Sequence, residues 1–179
     1  AERIRRITNM PTGAGYPESV EYFHPDVFSS DGAWSSSTTT TVKAFYNKVF
    51  GSGATNANCM YNLYGAIMVS GDDKGKFHQG VDMYASNGDT IYSAHAGTVT
   101  VKSTAGGQVS FSGLSPKRIY LHLDPCVSTN DSISVDTQIG EQQSPYSHLH
   151  FEVNSSGDAK AAVFDSNDLM NSQKPYNYM

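Results

Sequence analysis

The sequence predicts a mainly β protein, a single antiparallel β-sheet or sandwich domain behind a largely irregular N-terminal extension with one short helix. Three observations carry that expectation. From Tyr61 onward, short runs of strand composition recur at short intervals, each closed by Gly, Asn, Asp or Ser. No helical segment separates them, so the βαβ rhythm of a parallel sheet is missing. The composition agrees, with 16 glycines, 11 tyrosines and only 16% charged residues. Such a balance is low in charge for a helical cytosolic protein and favours strands joined by turns.

At 179 residues and 19.4 kDa the chain can bury one sizeable core with an appendage. A formal net charge of −5 and a pI near 5.6 argue against a phosphate-binding surface, and no basic run extends beyond Arg3-Ile4-Arg5-Arg6. Nucleic acid is therefore not an expected partner. No window approaches the roughly 18 apolar residues of a membrane span. No signal-peptide pattern is present, and an opening on Ala1 suits a mature or trimmed product and an arbitrarily chosen start equally well.

In order along the chain, residues 1–58 form the extension. Glycine, proline and acidic residues break up the first thirty, and a polar run from Ser35 to Thr41 follows Trp34. Val42, Phe45, Tyr46 and Val49 fall at the i, i+3, i+4, i+7 spacing of one helical face, and Gly51 supplies a stop. That spacing predicts a helix over about 42–50. Residues 59–179 form the main domain. Its expected strands are Ala66–Val69, Gly80–Tyr84, Thr90–Ser93, Gly97–Val101, Val109–Phe111, Ile119–Leu123, Ser132–Val135 and the stretch around His148. A hairpin turn at Asn154–Asp158 is expected to lead into Ala161–Phe164.

Six histidines carry the candidate chemistry: His24, His78, His95, His122, His148 and His150. Read as a strand, Ser147-His148-Leu149-His150-Phe151-Glu152 turns Leu149 and Phe151 to one face and His148, His150 and Glu152 to the other. The two imidazoles then stand about 6–7 Å apart on one face. In 80–84, Val81 and Met83 oppose Asp82 and Tyr84. In 119–123, parity sets Ile119, Leu121 and Leu123 against Tyr120 and His122. Three strands thus place aliphatics on one face and metal-capable side chains on the other, which predicts a shared polar groove. His78 and Asp82 lie about 13 Å apart if fully extended, and Gly80 between them can bend the chain to close that gap. Glu152 shares the His150 face and can orient an imidazole or simply face solvent. His95 and His24 are expected to be surface and turn residues.

His-x-x-x-Asp at 78–82, Tyr-x-His-Leu at 120–123 and His-Leu-His-Phe-Glu at 148–152 resemble, in that order, the lysostaphin-type zinc endopeptidases that cleave peptide cross-links in bacterial cell walls. The segment from Ala85 to Val99 and Ile139-Gly140 are similar to the same family, and the resemblance covers about residues 60–165. It implies one zinc ion per chain, held by His78, Asp82 and His150, with His122 and His148 as the non-ligand catalytic pair. Two nitrogens and one carboxylate leave a coordination position open, as catalytic zinc requires. The implied function is hydrolysis of peptide bonds in peptidoglycan cross-links through a metal-activated water, by a secreted or cell-wall-associated monomer. The sequence departs from the family at Glu141–Tyr146, where a glycine-rich stretch is usual. The family often has a tyrosine near the metal, for which Tyr64 and Tyr84 are candidates.

Two alternatives stay open on the sequence. One is a catalytically inactive or regulatory cell-wall-binding module on the same fold, which typically lacks some of the five residues present in this chain. The other is a zinc D-Ala-D-Ala carboxypeptidase, whose first His and Asp are spaced more widely. Cys59 and Cys126 allow one disulfide or two free thiols, and the oxidising location that the resemblance implies favours a Cys59–Cys126 bridge.

Overall fold

The computed structural model describes residues 5–6, 22–23, 36–59, 61–66, 72–103, 106–163 and 174–179. In chain order its elements are β1 (Arg5–Arg6), β2 (Tyr22–Phe23), helix α1 (Ser36–Phe50), the one-turn helix α2 (Asn56–Cys59), β3 (Phe77–His78), β4 (Gly80–Tyr84), β5 (Thr90–Tyr92), β6 (Gly97–Thr98) and β7 (Thr100–Lys102). There follow β8 (Gln108–Phe111), β9 (Lys117–Leu121), β10 (Leu123–Pro125), β11 (Ser132–Ile133), β12 (Gln138–Gln142), β13 (His148–Asn154), β14 (Ala162–Val163) and a 3-10 turn at Pro175–Tyr178. The protein is mainly antiparallel β with few helices, as composition and turn spacing predict.

A five-stranded sheet in the order β4-β13-β9-β8-β7 forms the centre, and a three-stranded sheet, β10-β12-β5, adjoins it. Paired residues of an antiparallel ladder share a face. Opposite Phe151 stand Val81 on β4 and Tyr120 on β9, and Tyr120 in turn faces Val109. These side chains, with Leu149, Met83 and Val153, are buried in one hydrophobic core. Each fully buried apolar side chain there contributes roughly 1.5–3 kcal/mol.

Helix α1 covers that face. Val42, Phe45, Tyr46 and Val49 are all buried, and the Phe45 ring lies 4.6 Å from Phe151. The helix starts at Ser36, six residues before the apolar spacing begins, so the Ser/Thr run expected to be irregular is its first turns. Threonine disfavours helix only by tenths of a kcal/mol, and docking of the apolar face outweighs that. Gly51, at φ 84°, ends the helix as predicted.

Several local expectations are corrected. The turn after β13 is not a β13–β14 hairpin, because β14 pairs with β3, Ala162 opposite His78. Strand β12, central to the second sheet, is not among the predicted strands. The Ile67–Val69 part of the expected strand, Trp34 and His24 lie outside the described residues. The Cys59–Cys126 bridge is not formed, and both thiols are free. Cys59 is buried at the end of α2 with its Sγ on the Thr55 carbonyl, whereas Cys126 is exposed beside Gln138. Burial pushes the Cys59 thiol up to about 11, partly offset by Lys43, which leaves it an inert apolar group.

His95 is likewise not a surface residue. Its ring stacks on Phe151 at 5.6 Å and 7°, beneath α1. The Tyr120 hydroxyl accepts from the Ala94 amide and donates to His95 Nδ1, and His95 Nε2 donates to the Tyr178 carbonyl. This circuit ties the C-terminal turn to the sheet and requires a neutral ring. Burial lowers the His95 pKa, helped by Arg118 and Lys48 and opposed by the Tyr178 bond. A folded value below the unfolded one makes this stability fully present above about pH 6.5 and lost as pH falls. The melting temperature of the wild type should therefore drop more steeply below pH 6.5 than that of His95→Gln. Parallel curves for the two proteins would refute the assignment.

Candidate metal centre

The opposite face of the central sheet holds the polar groups. On β13, His150 stands opposite Asp82 of β4, and Glu152 opposite Gly80. Asp82 is backed from the other side by Asn62, whose backbone exchanges hydrogen bonds with it. His78 arrives from β3, after Gln79 separates the two short strands. Its amide donates to the Ala66 carbonyl and its own carbonyl accepts from Gly65.

Three donor atoms converge between these strands. One ligand atom each from His78, Asp82 and His150 lies within 4.8 Å of the others, and all three residues are buried. His78 Nε2 is 3.2 Å from Asp82 Oδ2 and 3.2 Å from His150 Nδ1, while His150 Nδ1 is 2.9 Å from Asp82 Oδ1. The far side of each imidazole is committed. His78 Nδ1 donates to the Leu63 carbonyl at 3.0 Å, and His150 Nε2 donates to Glu152 Oε2 at 2.9 Å. Both rings therefore turn their remaining nitrogen towards the same point, beside a carboxylate. His150 Nδ1 donates to Asp82 Oδ1 there, a proton that a bound cation would replace, and anchoring of the outer nitrogen is how metal-binding histidines are oriented. The residues fit a zinc-type site of two nitrogens and one oxygen.

The electrostatics point the same way. Burial alone would raise Asp82, but His78 and His148, with hydrogen bonds from His150 and His78, hold its carboxyl well below the ordinary range. Burial would depress His150, yet its bonds to Asp82 and Glu152 raise it to about 10. The pocket thus favours positive charge at its centre. Glu152 is fully buried. Burial raises it, and the His150 bond with the Lys160 and Ala161 amides overcomes that and keeps it ionised. It is an orienting carboxylate, not a solvated one.

Gly80 works by space, not by bending. A Cβ there would lie 2.5 Å from Cε1 and Nε2 of His150 and 2.6 Å from the Phe151 carbonyl, so only glycine leaves room for the imidazole.

His148 and His122 flank the centre. His148 Nε2 is 3.7 Å from Asp82 Oδ2, and its ring lies 4.9 Å from that of His122, edge to face. Strand parity places His148 as expected but fails for His122. Tyr120 faces Phe151 in the aromatic core, so Ile119 and Leu121 share the face of Glu152 and His150. His122 reaches the site because the chain breaks there, at φ 75°, between β9 and β10. Its amide donates to Gly106 and Gly107 carbonyls, and its carbonyl accepts from Gln143 N. A Cβ on Gly107 would sit 1.8 Å from the Leu123 carbonyl, so the break needs that glycine. Burial, then the His148 and His150 imidazoles, push His122 down to about 3, and burial also lowers His148.

Among the tyrosines, Tyr64 is buried in the core, while Tyr84 is exposed and faces His148. Sequence reasoning missed Tyr146, stacked on His122 at 3.8 Å and 13°, and Tyr61, at 5.9 Å from His148. Proximity of Tyr146 to the His148 strand was the only available signal.

Residues 76–162 match the sequence model of peptidase family M23. They contain all five residues of the cluster and its flanks. Solved structures of similar shape include lysostaphin from Staphylococcus simulans, 22% identical over 65% of this chain and 48% of that one, with a TM-score of 0.50. LytU is 19% identical over 70% and 87% of the two chains, with a TM-score of 0.48. A zinc-containing peptidase from Vibrio cholerae is 28% identical over 46% of this chain, with a TM-score of 0.39. This chain spans only 28% of that peptidase. No curated protein matches the chain. The lysostaphin likeness shows a shared fold, and the M23 match is to a family of metallopeptidases, which supports a peptidase.

Replacing Gly80 by alanine should displace His150 and lower zinc affinity by about 10–100-fold while the far core face stays packed. Chelator competition measures this, and an unchanged affinity would show that His150 is not a ligand.

Proposed function

We propose that this M23 domain is a zinc endopeptidase that hydrolyses peptide bonds in peptidoglycan cross-links. It acts outside the cytoplasm, as a monomer, on a peptidoglycan peptide. The observation that carries the reading is the convergence of two anchored imidazoles and a buried carboxylate, with two further imidazoles beside them that are not needed to hold an ion. Zinc bound by His78, Asp82 and His150 supplies Lewis acidity towards water and towards a substrate carbonyl.

The chain's own groups handle protons and orientation. His122 and His148 are neutral near pH 7, each able to accept one proton and to donate another. Between them they take a proton from attacking water, donate to the carbonyl oxygen as it gathers charge, and return a proton to the departing amine. Asp82, ionised and 3.7 Å from His148, favours the protonated form of that ring when it arises. Tyr146 fixes the His122 ring by stacking, so the donor is aimed before substrate arrives. The S. simulans protein is an antimicrobial peptidase, in keeping with a peptidase reading. The low charge of the chain and, among its described residues, the absence of a helix long and apolar enough to cross a membrane are compatible with that role.

His122→Ala and His148→Ala should each keep one zinc per chain and lose about 10²-fold or more in cleavage of a cross-linked muropeptide. The double variant should lose less than the product of the single losses, because groups that act together are not additive. Zinc analysis and turnover of all four proteins decide the matter. Loss of zinc in either single variant, or near-full activity in both, contradicts these roles. Binding of muropeptide without cleavage by the zinc-loaded wild type would favour a non-catalytic wall-binding module.

A further inference from the structure

Gln142, at the end of β12, is 2% exposed and has its backbone pinned on both sides, its amide to Asp89 and its carbonyl to Gly88. Its side chain enters the space between the His122 break and the start of β13. Four carbonyl oxygens surround its Nε2: His148 at 2.9 Å, His122 at 3.0 Å, Tyr146 at 3.2 Å and Gln143 at 3.4 Å. Only an NH2 group can face four acceptors, so the amide orientation is dictated chemically. Its two hydrogens go to the two nearest oxygens, which belong to the two histidines that hold no metal. Its Oε1 is buried without a partner, a cost of roughly 1–3 kcal/mol that the structure accepts in order to place the NH2.

We propose that Gln142 is a positioning residue that sets the spacing of His122 and His148 by hydrogen-bonding the backbone carbonyls of both. The role in catalysis rests on the reading of those imidazoles as the proton-handling pair. His122 and His148 lie on chain segments that are not adjacent in any ladder, since β9 pairs with β13 only from Leu121 onward, opposite His150. His122 also holds a left-handed backbone, a conformation that persists only where its surroundings over-determine it. The Gln142 bond closes that constraint at the carbonyl side, as Gly106 and Gly107 do at the amide side. The carbonyl of Tyr146, the residue stacked on His122, lies 3.2 Å from the same nitrogen. One amide therefore holds the backbone of both histidines in register.

Two measurements test this. In isotope-labelled, zinc-loaded wild-type protein, NMR should show couplings across hydrogen bonds from Gln142 Nε2 to the carbonyl carbons of both His122 and His148, with slowly exchanging amide protons. Couplings to one or neither overturn the proposal, whatever the protein cleaves. In Gln142→Met, which keeps volume and removes both donors, kcat on a muropeptide should fall about tenfold or more, with KM within about twofold and zinc content unchanged. A kcat within about twofold of wild type, or zinc lost in step with activity, also overturns it. If Gln142→Met does not fold, the wild-type couplings decide. If the couplings are present but the wild type cleaves no muropeptide, the strut stands and the peptidase reading fails.

Discussion

A carboxylate taken out of water must be met by positive charge or by donors, and Asp82 is buried on the face of a central strand with imidazoles as its neighbours. That single requirement organises the molecule. It explains why His150 sits across the ladder from Asp82, why His78 is brought in by a separate short strand, and why each ring has its outer nitrogen occupied. It also explains Glu152, a second buried carboxylate that keeps His150 in one tautomer and is itself satisfied by backbone amides. Three donor atoms converge on one point only if the fold around them is rigid. The aromatic layer of Phe45, Tyr120 and Phe151 under helix α1 provides that rigidity from the reverse face.

Division of labour follows from accessibility. The three groups that converge on one point are buried, while His148 is half-buried and His122 lines the rim under Tyr146. Groups that hold an ion need to be fixed and dry. Groups that move protons need neutral rings within reach of substrate, and burial with neighbouring imidazoles depresses both of them. The same low dielectric thus favours charge at the centre and neutrality at the edge. Neighbouring partners make the difference.

Much of this is legible in the sequence, and the failures have physical causes. Alternation along 80–84 and 148–152 places Asp82, His148 and His150 on one face because both segments are regular strands. The same reasoning fails at 119–123 because parity assumes an unbroken strand, and the left-handed turn at His122 resets it. The right residue is picked out there by the wrong geometry. Gly80 reads as a hinge, whereas contact with an imidazole far away in sequence makes it essential. Strand β12 carries glutamine, glycine and glutamate, and nothing in Gln138–Gln142 signals that it lies between two partners. Gln142 reads only as part of the Glu141–Tyr146 stretch that departs from the family's glycine-rich pattern. Its importance lies in backbone carbonyls, which leave no mark in a sequence. His95 looks like a surface histidine beside small residues, but the Phe151 ring that it stacks on and the Tyr120 hydroxyl that it bonds lie far away in sequence.

The central claim is that His78, Asp82 and His150 form a zinc site. X-ray absorption at the zinc edge, on protein loaded with one equivalent, tests it most directly. The account predicts a first shell of nitrogen and oxygen only, at about 2.0–2.2 Å, with the scattering signature of two imidazoles. A shell containing sulfur from Cys59 or Cys126, a single imidazole, or an ion surrounded by water alone would contradict it.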